Sequence, residues 1–199
     1  MEPHKIATSY DHLASHWASD QFNRKNGIAQ HERAIAFVTE RGHALDVGCG
    51  CSGRIIDLLA ARGFDVEGLD ISDRMIALAK ERHPGIQFHR ADICRWKASR
   101  RYDFISAWDS IWHVPMKYQE PVLRKLLRAL NPGGACVFTA GGLDAPGEKT
   151  DSTMGQELYY SVLGIPKTLR TLEEEGSICR HLEYDQYPEL HLYIIAQKA

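Results

Sequence analysis

The chain has 199 residues, with 24 Lys and Arg against 26 Asp and Glu and a formal net charge of −2. That balance leaves no electrostatic footprint for a nucleic-acid partner, and no apolar run approaches the ~18 residues that a membrane span needs. The opening Met1-Glu2-Pro3-His4 lacks the basic and apolar regions of a secretory signal, so a cytoplasmic protein is expected. The cysteines (Cys49, Cys51, Cys94, Cys136 and Cys179) form no CxxC pair and the histidines no HExxH cluster, so reduced thiols and no metal are expected. The basic run Arg95, Lys97, Arg100 and Arg101 has only Trp96 to stack on and reads as a solvated loop face.

In chain order, helices are expected at residues 12–17 and 28–41, the second closed by Gly42 as a C′ residue. From Ala44 onward strands and helices alternate. A strand ending at Asp46 leads to a helix over 54–62, a strand over 64–69 and a helix over 73–82. Strands over 86–89 and 102–108, a helix over 120–130 and a strand over 135–140 follow. Alternation of this kind builds a parallel sheet with helices on both faces.

The pattern then breaks. Residues 141–165 follow the carboxyl end of the fifth strand, the face where ligands bind, and contain one expected short helix, MGQELYYSVL. A helix over 167–175, led in by Pro166, precedes strands over 179–184 and 191–197. These are too close for a parallel crossover, so they pair antiparallel or swap across the sheet. No repeat or linker interrupts the chain, which predicts a single domain over 1–199 with residues 1–42 as an N-terminal helical cap.

The stretch ALDVGCGCSG, residues 44–53, carries the most chemical information. A strand ends in Asp46, a glycine turn runs into a helix, and a second strand ends in Asp70, about 20 residues beyond Gly48. Gly48-x-Gly50-x-x-Gly53 fits a dinucleotide fingerprint. Yet a pyrophosphate over this turn would meet Asp46, whereas S-adenosylmethionine carries a sulfonium and an ammonium that an acid suits. Gly48, Cys49 and Gly50 would let the backbone approach such a ligand closely. Asp70 can accept both vicinal ribose hydroxyls or cap the next helix, a task Ser72 could also do.

LDVGCG is followed in order by GLDIS (Gly68–Ser72), ADI (Ala91–Ile93), YDFISAWDSIWHVP (Tyr102–Pro115) and LNPGGACVFTA (Leu130–Ala140). Together these resemble the successive motifs of a class I S-adenosylmethionine-dependent methyltransferase of the small, single-domain, small-molecule type, from about Tyr10 to the C-terminus. Ser52 stands where that family usually has a third glycine, with Gly53 following, so the turn is expected to be one residue longer. The resemblance implies a Rossmann-like α/β fold, with an open, mostly parallel seven-stranded sheet, helices on both faces and an antiparallel C-terminal hairpin. It implies S-adenosyl-L-methionine as cofactor, S-adenosyl-L-homocysteine as product and a small soluble acceptor.

It also implies an adenine amino group on Asp92, with Ile71 and Ile93 sandwiching the ring, although Asp92 could simply form a turn. Met75 lines the adenine side or is ordinary core, and Asp46 meets the methionine end directly or through water. Tyr10 and Trp17 resemble aromatics that fold over the cofactor. Trp108, Asp109 and His113 should flank the transferring methyl, with His113 either a general base or a wall of the pocket. Tyr159, Tyr160, Tyr187 and His191 are the remaining acceptor-side candidates. A nicotinamide-dependent oxidoreductase and a non-catalytic cofactor-binding module are the alternatives. The acceptor, the atom methylated and the oligomeric state are not legible.

Overall fold

The computed structural model describes residues 1–19 and 21–199. Its main sheet has seven strands in the order β3-β2-β1-β4-β5-β9-β8. Strands β1 (His43–Val47), β2 (Asp65–Asp70), β3 (Gln87–Arg90), β4 (Tyr102–Ala107) and β5 (Leu130–Gly141) run parallel. Strand β9 (His191–Lys198) pairs antiparallel with β5, and β8 (Ser177–Tyr184) antiparallel with β9. The short β8–β9 connection leaves no other pairing, so the C-terminal hairpin forms one edge as expected.

Both faces of this sheet are covered. The side chains of α2 (Ile28–Ile35), α3 (Arg54–Ala61) and α4 (Asp73–Arg82) join one apolar cluster with Phe104 and Val137. Those of α5 (Met116–Arg128) and α6 (Ile165–Glu174) join the other with Leu45, Ile105 and Ile194. Alternate residues of each central strand feed opposite faces, so β1 and β4 are buried on both sides, all but the half-buried His43 at the start of β1. Pairing order reverses between β1 and β4, and outside their carboxyl ends lies the crevice where sheets of this kind bind ligands.

Three expectations about elements need correction. The N-terminal helix α1 is longer than expected, Pro3–Ala18, because Pro3 opens it at a position that needs no amide donor. It packs on α4, where Asp11 accepts from Ser72 Oγ (2.5 Å) and the Arg74 amide (3.0 Å). Helix α2 stops at Ile35 rather than 41. Gly42 does not close it; a Cβ there would meet Asp103 Oδ2 at 2.4 Å, so that glycine makes room for a neighbouring strand. The segment read as a helix, MGQELYYSVL, is instead the second strand of a hairpin, β6 (Gly147–Asp151) with β7 (Leu158–Val162). In LYYSV all but Tyr160 are buried, and aromatic and β-branched residues fit a pleated, packed surface better than a helix. Smaller shifts affect α5, which begins at Met116 with Pro121 inside it rather than in its first turn.

Candidate active site

A cavity of about 350 Å³ opens at the carboxyl ends of β1, β2 and β4, under α1. Of the residues singled out from sequence, all but Asp46, Tyr159 and Tyr187 line it.

The glycine turn forms its floor. Gly48, Gly50 and Gly53 all have positive φ, at 71°, 56° and 71°. The left-handed backbone turns the chain from β1 directly into α3. Three turn amides are already occupied: Gly48 N–H (2.7 Å) and Cys49 N–H (3.1 Å) donate to the Leu69 carbonyl, and Gly50 N–H donates to Asp70 Oδ2 (2.9 Å). A pyrophosphate would need such amides free. Gly53 caps α3 as the expected extra residue of the turn, and Ser52 is buried beside it.

Asp70 is buried at the end of β2, its other oxygen accepting from the Ser72 amide (2.9 Å). Burial pushes its pKa up, and the amide hydrogen bonds pull it back in part. Ser72, not Asp70, is the N-cap of α4, its hydroxyl accepting from the Met75 amide at 3.0 Å. Asp70 is thereby fixed as a cavity wall beside Ile71, Met75, Asp92 and Ile93. Asp92 does form a turn, accepting from the Cys94 amide at 2.8 Å, and lines the cavity as well.

Asp46 is displaced from its expected place. It is 3% exposed and sits behind the turn, in register with Ser106 of β4, rather than on the cavity wall. Burial raises its pKa to about 6, opposed by the Ser106 hydroxyl and the charge of Arg54. Behind it His31, wholly buried, bonds the Gly27 carbonyl (2.6 Å) and Ser106 Oγ (2.9 Å). An acid at a strand end looks the same in sequence whether it faces the turn or lies beneath it.

Arg54 is a cavity residue the sequence reading missed. It donates from Nε to the Asn26 carbonyl (2.9 Å) and from Nη1 to Ser52 Oγ (3.0 Å), with its guanidinium over the Phe22 ring. A signal existed: a cation as the first residue of a helix opposes the macrodipole, so its position asks for another reason.

The wall after β4 begins with Trp108 and Asp109. Asp109 is the one non-glycine residue with positive φ (51°) among the described residues, a conformation Asp tolerates and that gathers at functional sites. Its amide donates to Thr139 Oγ1 (2.8 Å), while its Oδ2 accepts from Asn26 Nδ2 (3.1 Å) and its Oδ1 from His191 Nε2 (3.0 Å). His191 Nδ1 donates to Asp185 Oδ1 at 2.5 Å. Carboxylates only accept, so both ring nitrogens carry protons and His191 is an imidazolium. Burial works against that charge, but the two carboxylates outweigh it and raise the pKa.

His113 has the opposite character. Its Nδ1 faces the Tyr159 carbonyl (2.7 Å), which fixes the proton there. Nε2 then accepts from the Tyr10 hydroxyl (2.7 Å) and Trp112 Nε1–H (3.1 Å). Burial lowers its pKa to about 4. A lone pair already engaged twice, on a ring this hard to protonate, makes a poor general base. Tyr10 and Trp17 of α1 complete the roof, and the buried Trp17 Nε1–H has no acceptor among the described residues.

Two acceptor-side candidates fall elsewhere. Tyr187 is 84% exposed and outside the cavity. Tyr159 is buried, its hydroxyl donating to Glu148 (2.5 Å) and accepting from the Met116 amide (3.1 Å). Alternation along β7 turns Tyr160, not Tyr159, into the cavity. Trp112, Met154 and Gln186 line that side without having been singled out.

The family model for the methyltransferase domain matches residues 44–134. Trans-aconitate 2-methyltransferase of Acidovorax sp. (strain JS42) is 36% identical over 107 residues, covering 52% of this chain and 40% of that protein. The chain thus spans about two fifths of the length of such relatives. A structure of an S-adenosylmethionine-dependent methyltransferase from Mesorhizobium loti superimposes with a TM-score of 0.67 at 21% identity, covering 87% of this chain and 99% of that one. One from Clostridium acetobutylicum gives 0.71 at 13% identity, covering 98% of each. These two likenesses establish the Rossmann-like methyltransferase fold. None of them supports the oxidoreductase alternative.

Proposed function

We propose that this chain, which matches the methyltransferase-domain family model over residues 44–134 and shares the fold of S-adenosylmethionine-dependent methyltransferases, transfers the methyl group of S-adenosylmethionine to a small acceptor molecule. Residues 1–199 act as one unit, α1 and α2 capping the donor and the 141–165 insertion walling the acceptor. Free thiols at all five cysteines, Cys179 exposed among them, suit a reducing cytoplasm.

The observation that carries this reading is the pairing of Asp70 with the Gly48–Gly50 turn. A buried carboxylate is held rigidly by the Gly50 and Ser72 amides on a cavity wall, and lone pairs remain to accept two ribose hydroxyls. The residues fit the donor in other respects. A Cβ on Gly50 would meet nothing within 4 Å, an open space that the ligand backbone contact would fill. The Trp17 N–H, a buried donor with no acceptor among the described residues, is one that a bound polar ligand would satisfy. Ile71, Met75 and Ile93 form an apolar slot for adenine, with Asp92 at its edge. Arg54 is positioned to meet the methionine carboxylate, and the buried negative charge of Asp46 beneath the turn favours the cationic end.

When bound, S-adenosylmethionine supplies a methyl carbon made electrophilic by its sulfonium. The protein aligns the two reactants and excludes water, with Tyr10, Trp108 and Trp112 enclosing the space between them. His113 holds Tyr10 down over the cavity and so ties α1 to the acceptor wall, a positioning role rather than a basic one. The test is incubation with methyl-labelled S-adenosylmethionine and fractionated metabolite pools, followed by mass spectrometry. Label appearing in a small molecule supports the reading. Tight donor binding with no transfer to any pool would favour a non-catalytic binding module.

A further inference from the structure

The acceptor half of the cavity has a charge balance that selects among acceptors. Its wall combines apolar side chains, Ile6, Ile111, Trp112 and Met154, with Asp109 and His191, and Asp185 behind His191 completes an Asp109–His191–Asp185 row. The Asp185 side chain is 8% exposed and accepts in turn from Gln30 Nε2–H (2.8 Å). The row contains two carboxylates and one imidazolium, so it carries one net negative charge. Its single cation has both N–H groups committed to those carboxylates and none left for a ligand. Asp109 differs: a carboxylate offers about four acceptor positions, and among the described residues only the side chains of Asn26 and His191 donate to it, one each.

The other polar groups nearby do not change this balance. His113 is neutral with its lone pair engaged, and Tyr10 donates to it. Lys149 lies over the Tyr160 ring, pairs with Asp151 at 3.5 Å and is not a cavity residue. Arg54 also lines the cavity and its charge reaches Asp109 across Asn26, but in the reading above the donor's carboxylate takes that charge up.

We propose that the methyl acceptor is an amine on a small apolar skeleton, with its nitrogen docked on the Asp109 carboxylate. This rests on the methyltransferase reading and adds the acceptor's class to it. A cationic amine neutralises the excess negative charge, and its carbon frame covers the aromatic and aliphatic wall. A carboxylate acceptor would face Asp109 with no lining cation but Arg54, which the donor's carboxylate takes; a neutral alcohol would hydrogen-bond the carboxylate without neutralising it. For the ammonium form to react, one N–H proton leaves through Asp109 to solvent. The freed lone pair forms the N–C bond as the C–S bond breaks toward sulfur, giving an N-methyl ammonium and a neutral thioether.

The experiment is calorimetric titration of the complex with S-adenosylhomocysteine, using benzylamine, benzyl alcohol and benzoate as probes matched in shape. Benzylamine is expected to bind about tenfold or more tighter than benzyl alcohol, and benzoate not measurably. Asp109→Asn should erase the amine's advantage while S-adenosylhomocysteine still binds. Benzoate binding as tightly as benzylamine, an amine preference that survives Asp109→Asn, or no binding of any probe would overturn the assignment. Failure of S-adenosylhomocysteine itself to bind would instead strike the donor-site reading, and the two failures are read in separate titrations.

Discussion

Gly50 and Gly133 offer a matched pair of substitutions. Both have positive φ, 56° and 77°, and at both a Cβ would meet no protein atom within 4 Å. Only Gly50 lines the cavity. Placing alanine in the left-handed region costs about 1–2 kcal/mol, part of it offset by the lower entropy of the unfolded chain. Gly50→Ala and Gly133→Ala should therefore each lose about 1 kcal/mol of stability, a drop of roughly 2–4 °C in Tm for a chain of this size. Their effects on ligand binding should part. At Gly50 the methyl group enters the space assigned to the donor, so S-adenosylhomocysteine affinity should fall tenfold or more, about 1.4 kcal/mol. At Gly133 it should not change. Thermal denaturation and calorimetry on both variants read the two quantities separately. Equal affinities in the two variants would refute the assignment of that open space to a ligand.

Three further outcomes follow from the geometry. His113 has a folded pKa of about 4 against an ordinary 6.5, so the unfolded chain takes up its proton first as pH falls. That interaction's stability is present above pH 6.5 and is lost on acidification toward 4, by about 3 kcal/mol. His113→Gln lacks this loss, so the stability gap between wild type and variant should narrow from pH 7 to pH 4.5 in denaturant titrations; a gap independent of pH would mean that His113 is not buried neutral. Tyr159→Phe removes the hydroxyl that joins Glu148 to the Met116 amide and should cost about 1 kcal/mol of stability with no change in donor affinity. Tyr187→Ala, at a side chain 84% exposed, should change neither, and a loss of binding there would show that the β8–β9 loop closes over the site.

Much of the sheet was legible because its signals are local. Strand β1 ends in an acid and runs into glycines, Ser72 caps α4, and the closeness of β8 and β9 forces an antiparallel edge. The same locality placed Asp70, Asp92, Trp108 and Asp109 on one face, since each follows a parallel strand's carboxyl end. What remained hidden depends on neighbours distant in sequence. MGQELYYSVL could be recognised as a strand only through its pairing with residues 147–151. Asp46 and Tyr159 carry the right chemistry but face away, a matter of a single position in register. His113 looks like a base until Tyr10, about 100 residues earlier, is seen on its lone pair.

The most direct test of the donor site is calorimetric titration of the wild type and Asp70→Ala with S-adenosylhomocysteine. Micromolar binding by the wild type, weakened by about 1–3 kcal/mol in the variant through loss of the hydroxyl hydrogen bonds, is the expected result. Absence of binding by the wild type, or equal affinity in both proteins, would contradict the placement of the adenosine ribose on Asp70 and with it the function proposed for this cavity.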